Sequence, residues 1–314
     1  MNIDSVIQRL QDSFGQAQQW LFESLVQPLV FALDMGGWLE QAFDGTGWLL
    51  VGLLQLLVML AVIAPLQRLW PAEPLHDRAA VRTDIVYTLI HRLGLFRVAM
   101  FFALQPLLDA AFGALRGAGM PTLHVDALWP GVTDSAWVSF LLYLLVFDCV
   151  DYWMHRAQHR WGWWWQLHAL HHSQTQMTMW TDNRNHLLDD VIRSVVLAVV
   201  AQAIGVPPAQ FVALVAVTQL SENFQHANLR WSFGWLGERL WVSPRFHRVH
   251  HSIHTGERNY GVLLPCWDML FGTADFHSRY EPTGVLDAAE QGRDYGRGFW
   301  SQQWRGVLRL AGRA

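Results

Sequence analysis

Five histidines fall within the eighteen residues from His155 to His172: His155, His159, His168, His171 and His172. His155 and His159 are four apart, and His168 is three and four residues from His171 and His172. On a helix such spacings put the rings on one face, with Cβ atoms about 5–6 Å apart. A second cluster, His247, His250 and His251, repeats the H-x-x-H-H spacing about eighty residues later. A lone histidine on an apolar face is ordinarily a satisfied core residue, but eight in two matched clusters are a metal-binding pattern. His186, in N-R-N-H-L-L-D-D, and His226, in S-E-N-F-Q-H-A-N-L, bring the candidates to ten. A zinc site takes about four ligands and a catalytic one about three, so ten histidines imply two metals. Imidazole suits zinc, copper, iron and nickel. A histidine-rich pair of irons beside a membrane is suited to activating dioxygen.

The rest of the chain has to bring these groups together at a membrane. Of the 314 residues, 52 % are hydrophobic and 15 % charged, against roughly 25 % charged in a soluble domain. There are 18 Trp, a residue that collects at the water–lipid boundary. No Lys is present and the formal net charge is −4, so nothing favours nucleic acid. Cys149 and Cys266 are too few for a cysteine metal site and read as free thiols, leaving the metal to nitrogen and oxygen ligands.

Residues 1–46 read as an N-terminal interfacial segment, with no cleaved signal peptide expected. Residues 47–134 read as transmembrane helices, with crossings at 48–66 and 84–113. A further run, 136–150, ends at Asp148 and Asp151 and leads into the first histidine cluster. Val191–Ile204 and Phe211–Leu220, joined by Gly205-Val206-Pro207-Pro208, read as a helical hairpin in the membrane, because two prolines forbid a straight helix. Residues 281–314 read as a C-terminal interfacial tail. The expected fold is all-α: a polytopic integral membrane protein of about four or more membrane helices, since lipid cannot satisfy open backbone groups, with a cytosolic histidine-rich cap. Arginines at 67–82 and 155–160 put both clusters on the cytoplasmic side, of a bacterial inner membrane.

The motifs H-R-A-Q-H, H-A-L-H-H and H-R-V-H-H, with D-Y-W-M-H-R, S-P-R-F-H-R-V-H-H-S, N-Y-G and W-D-M-L-F-G-T around them, resemble the histidine boxes of the fatty acid hydroxylase/sterol desaturase superfamily. The resemblance covers about residues 135–280, which makes that span the expected hydroxylase-type domain. It implies a non-haem diiron oxidoreductase with two iron ions that uses dioxygen to hydroxylate, or desaturate, a lipid C–H bond. It also implies ligand roles for His155, His159, His168, His171, His172, His247, His250 and His251. His226 matches a further family histidine, and His186 matches another. Where some relatives have a histidine four residues after the one matching His226, this chain has Arg230. Asp151, one turn before His155, is the candidate carboxylate behind a ligand. Asn259, Trp267 and Asp268 belong to the pattern as structural residues.

The expected partners are a lipid substrate (a sterol-like lipid, an acyl chain or an ether lipid), the membrane, and a separate electron-donor protein of reductase, ferredoxin or cytochrome type. Two rivals stand beside this reading. A metal-dependent membrane hydrolase would need a general base, as in H-E-x-x-H, and no such pair occurs. A histidine-rich metal transporter would place its ligands near the middle of the spans, whereas these lie at span ends and beyond.

Overall fold

A computed structural model describes residues 3–254, 257–277 and 280–313. Among them every regular element is helical, and the one β feature is a single bridge between Ser252 and Thr283. The chain begins with α1 (Ile3–Leu21), α2 (Gln27–Ala32), α3 (Leu39–Val58) and α4 (Ala64–Leu69). A π-helical turn at Met59–Ile63 joins α3 to α4, and with a 3₁₀ turn at Gly36–Trp38 they make one 34-residue helix, Gly36–Leu69, that contains a strongly apolar 18-residue stretch. Pro65 lies just past the π-helical turn, where the regular i→i−4 ladder is already shifted.

α5 (Arg78–Arg92), α6 (Leu95–Ala103) and α7 (Gln105–Gly117) follow. The Asp77 carboxylate caps α5 by accepting from the N–H groups of Ala79 and Ala80, both at 2.9 Å. The stretch 84–113, expected as one crossing, is broken twice. Gly94 adopts φ 78°, a left-handed conformation that ends the first piece. Pro106, which lacks an N–H, starts α7 afresh. The longest piece has 15 residues, about 22 Å of helix against roughly 30 Å of hydrocarbon. Hydropathy alone had hidden both breaks.

α8 (Ala136–Arg160) is 25 residues long and contains an apolar 18-residue stretch ahead of its histidine-bearing end. Thus two helices among the described residues are long and apolar enough to cross a membrane. Trp161, in extended conformation, turns the chain from α8 into α9 (Gly162–His172). α10 (Leu187–Ile204) and α11 (Pro208–His226) form the anticipated hairpin: Gly205 at φ 64° stops α10, and Pro208 opens α11. Short helices follow: α12 (Gly234–Leu240), α13 (Pro244–His250), α14 (Cys266–Leu270) and α15 (Leu286–Gln291), then α16 (Phe299–Leu310).

Two apolar clusters hold the frame. Tyr143 and Phe147 of α8 pack with Leu214 of α11 and Leu263. Met59 and Ile63 pack with Met179 and Leu229. Each such large side chain, fully buried, contributes about 1.5–3 kcal/mol. α3 crosses α5 so closely that a Cβ at Gly52 would lie 1.7 Å from the Arg92 carbonyl oxygen. Arg92 in turn donates to Asn223 Oδ1 of α11 at 2.7 Å, which ties the N-terminal helices to the hairpin.

Candidate metal centre

The three boxes and His226 meet where four helices end. His155 and His159 close α8, His168, His171 and His172 close α9, and His226 is the last residue of α11. His247 and His250 lie on α13, and His251 is its C-cap. The Ser243 hydroxyl fixes the start of α13 by accepting from Phe246 N–H at 3.1 Å. Nine of the ten candidate histidines come together in two groups. His155, His159, His168, His172 and His250 form one, and His171, His226, His247 and His251 the other; within each group the candidate ligand atoms lie within 4.8 Å of one another.

Helical geometry explains the division. Residues four apart share a face, so His155/His159 and His168/His172 serve the first group and His247/His251 the second. His171 and His250, each next to a box partner and turned about 100° from it, cross to the opposite group.

Four outer nitrogens are fixed by acceptors, whereas the buried Nδ1 atoms of His171, His247 and His251 have no hydrogen-bond partner. His155 Nδ1 donates to the Tyr260 carbonyl at 2.9 Å, His226 Nδ1 to the Glu222 carbonyl at 2.7 Å, and His250 Nδ1 to the Arg258 carbonyl at 2.7 Å. His168 Nδ1 donates to Asp189 Oδ2 at 3.0 Å. A carbonyl or carboxylate only accepts, so Nδ1 carries the proton and Nε2 keeps a bare lone pair. The inward nitrogens of both groups converge. The Nε2 atoms of His226, His247 and His251 form a triangle with sides of 2.9, 3.1 and 3.2 Å, and His171 Nε2 lies 3.1 Å from that of His226. One ion about 2.0–2.1 Å from each nitrogen reaches all three corners of such a triangle. In the first group His250 Nε2 is 3.1 Å from His172 Nε2, while the buried Nε2 atoms of His159 and His168 have no hydrogen-bond partner. Converging lone pairs in a buried space call for a cation, so the residues fit a pair of metal ions.

Burial, followed by the neighbouring imidazoles, holds His171, His172, His247 and His251 well below the ordinary histidine value. His250 is brought down to about 3, again chiefly by burial. These rings are neutral at pH 7, the form that binds a metal.

His186 lies outside both groups. Its Nε2 donates to the Gln303 carbonyl at 2.9 Å and its Nδ1 accepts from Leu188 N–H, capping α10. Gly306 of α16 packs so tightly on this ring that a Cβ there would lie 2.2 Å from it. Asp151 faces Arg193, with Nη2 3.3 Å from Oδ1, while the ring it was expected to support gives its N–H to Tyr260. Arg230 is exposed, and its backbone N–H donates to the Trp70 carbonyl at 3.0 Å.

Asp189 was not anticipated. It lies in the acidic pair after His186, whose position in the first turn of α10 reads in sequence as ordinary helix-start chemistry. Burial would raise its carboxyl, and donation from His168, Gln158 and Trp164 more than reverses this, holding it below the usual carboxylate range. Of the expected structural residues, Asp268 acts one step behind a histidine. Asp268 accepts from Tyr260 N–H at 2.9 Å and Gly261 N–H at 2.7 Å, fixing the carbonyl that orients His155. Trp267 Nε1 donates to Asp148 at 2.9 Å, and Asp148 also accepts from Leu263 N–H at 2.7 Å.

A small cavity of about 30 Å³ touches both groups, with His155 and His168 of the first and His171, His226 and His247 of the second in its wall. Gln158, Asp182, Asn185, Arg193, Glu222 and Gln225 form the remaining polar wall. Arg193 lies between two carboxylates, 3.3 Å from Asp151 and 3.6 Å from Glu222.

A family model described as fatty acid hydroxylase matches residues 140–273. The chain is 29 % identical to ornithine lipid hydroxylase OlsE of Rhizobium tropici over 230 residues, 72 % of this chain and 66 % of that protein. It is 29 % identical to an alkylglycerol monooxygenase of Caenorhabditis elegans over 48 % of this chain and 29 % of the relative. A Delta(7)-sterol 5(6)-desaturase of Gibberella zeae is 26 % identical over 55 % of this chain and 53 % of its own length. The matches therefore span less than two thirds of each of these relatives. No solved structure gives a significant match.

Proposed function

We propose, for a chain that belongs to the fatty acid hydroxylase and sterol desaturase superfamily, that it is a membrane non-haem diiron oxidoreductase using dioxygen to hydroxylate, or desaturate, a lipid C–H bond. The observation that carries this reading is the convergence of nine histidines, eight of them buried and His159 half-buried, into groups of five and four that both reach one cavity wall. A hydrolase or a transporter has no use for so many neutral nitrogen ligands around two adjoining positions. Two iron ions, when bound, would supply the redox chemistry with dioxygen.

The chain's own residues prepare that chemistry. The carbonyls of Tyr260, Glu222 and Arg258 and the carboxylate of Asp189 hold four rings with Nε2 aimed inward. Burial keeps bulk water from the rings. The eight box histidines and His226 are the proposed ligands, and His186 is proposed as a cap of α10. Asp151 is proposed to act through Arg193, holding the polar wall of the cavity rather than a ligand.

The helices Gly36–Leu69 and Ala136–Arg160 are read as membrane crossings. Leu53, Leu54, Leu57, Leu60 and Val62 are exposed on the first of them, as a lipid-facing surface requires. The hairpin of α10 and α11 enters the same bilayer, and the histidine-bearing ends form a cap on the cytoplasmic side of a bacterial inner membrane. Residues 135–280 are the catalytic domain in this reading, with interfacial segments at 1–46 and 281–314. The substrate is a membrane lipid, in keeping with the names of the relatives, and electrons arrive from a separate donor protein.

The test compares the lipids of cells with and without the gene and counts iron in the purified protein. The expected result is two irons per chain and a lipid that has gained one oxygen or lost two hydrogens when the gene is present. Activity restored by zinc and not by iron would overturn the redox reading.

A further inference from the structure

Three N–H groups from two helices converge on the carboxylate of Asp189 at the start of α10. Gln158 Nε2, on α8, donates to Oδ1 at 2.7 Å. Trp164 Nε1, on α9, donates to the same oxygen at 2.6 Å. His168 Nδ1, one turn further along α9, donates to Oδ2 at 3.0 Å. Asp189 is 1 % exposed. An ionised carboxylate is acceptor-only, whereas an amide would turn an N–H₂ toward one of these donors. The site therefore asks for a charge as well as a shape. Asp189 lies in the first turn of α10, where the helix dipole favours that charge.

The arrangement singles out His168. Its Nε2 is buried and without a hydrogen-bond partner, and it belongs to the first group together with His155, His159, His172 and His250. The outer nitrogens of His155, His226 and His250 are held by backbone carbonyls, while that of His168 is held by a buried carboxylate, which makes the ring a stronger donor to a metal. The same carboxylate spans the turn at Trp161, because Gln158 precedes that turn and Trp164 follows it. It thereby sets the angle between the helix carrying His155 and His159 and the helix carrying His168 and His172.

We propose that Asp189 is a positioning residue for the metal of the first group, locking His168 with its proton on Nδ1 and fastening α8 to α9 so that their histidines close on one ion. The proposal rests on the dimetal reading above. It assigns to Asp189 no contact with substrate or metal.

The test titrates the metal-depleted full-length protein in detergent with cobalt(II), followed by visible absorption and by competition with a chelator. Wild type should bind two ions; failure to do so refutes the dimetal reading itself, before any variant is compared. Asp189→Asn should weaken one of the two ions by about 10–100-fold and leave the other unchanged. The weakened ion should be the one that His159→Ala also weakens. Trp164→Phe removes one donor but leaves the carboxylate tied to α8 through Gln158 and to α9 through His168, and should bind both ions as wild type does even where its melting temperature drops. Should Asp189→Asn not fold, Asp189→Glu, which keeps the charge and moves it by one methylene, should show the same selective weakening. Unchanged affinity for both ions, equal weakening of both, or an equal effect from Trp164→Phe would each overturn the proposal.

Discussion

His171 and His172 are consecutive residues whose rings serve different groups: His171 Nε2 lies 3.1 Å from His226 Nε2, and His172 Nε2 lies 3.1 Å from His250 Nε2. A turn of about 100° per residue makes this unavoidable once the helix end is inserted between two ion positions. Substituting the two should therefore remove different ions. His171→Ala is expected to weaken the ion that His247→Ala weakens, and His172→Ala the ion that His159→Ala weakens. Metal titration of the four variants checks the pairing, and a shared loss in His171→Ala and His172→Ala would contradict the division into five and four.

His186 provides a contrast within the same set of candidates. Its ring caps α10 and packs under Gly306. His186→Ala is expected to retain two metal ions per chain and to lose about 0.5–2 kcal/mol of stability, the range for a lost helix cap. Metal analysis and thermal unfolding of the one variant read both outcomes. Loss of an ion would return His186 to the ligand set.

The boxes were legible because their period is that of the helix they sit on, and because eight imidazoles have no core-packing explanation. The supporting groups were not. Tyr260, Glu222 and Arg258 act through backbone carbonyls, which every residue has, so their identity carries no signal. Asp189 was hidden by an acidic pair in the place where helices commonly begin with acids, and Asp151 drew attention only because it is one turn before His155. The hairpin of α10 and α11 was announced by Gly205, Pro207 and Pro208. Gly94 and Pro106 are equally visible breaks, but averaging hydropathy over residues 84–113 smooths over a residue with positive φ.

Gly52 allows α3 and α5 to approach. A Cβ there would lie 1.7 Å from the Arg92 carbonyl oxygen, and that atom is backbone, with no rotamer to yield. Gly52→Val should force the helices apart and cost about 1–3 kcal/mol or more, the usual penalty of overpacking. Because Arg92 also holds Asn223 on α11, the strain should reach the hairpin. Detergent-solubilised protein should unfold at lower temperature; an unchanged transition would show that the helices are free to separate.

Arg193 joins two carboxylates in the polar wall, Asp151 at 3.3 Å and Glu222 at 3.6 Å. Arg193→Leu leaves both without that cation, and uncompensated buried charge typically costs about 3–5 kcal/mol. The Arg193 side chain is 27 % exposed, so the loss should fall toward the lower end of that range. Asp151→Asn in the same chain should recover part of it, since one of the stranded charges is then gone. Equal unfolding temperatures for the single and double variants would show that the pair does not couple.

His226 lies outside the boxes, which makes it the most discriminating single position. Its Nδ1 donates to the Glu222 carbonyl, and its Nε2 stands 2.9, 3.1 and 3.2 Å from those of His247, His171 and His251. It is the one member of its group contributed by the hairpin, so its removal leaves an opening that no neighbour on α9 or α13 fills. His254 is a matched control: it lies three residues beyond His251, and its side chain is exposed. His226→Ala should retain at most one tightly bound ion per chain and no turnover of lipid, while His254→Ala should retain two ions and most of the activity. Iron counted per chain, with product assayed on the same preparations, decides between them. Full iron and full turnover in His226→Ala would take it out of the centre and leave the eight box histidines to hold both ions.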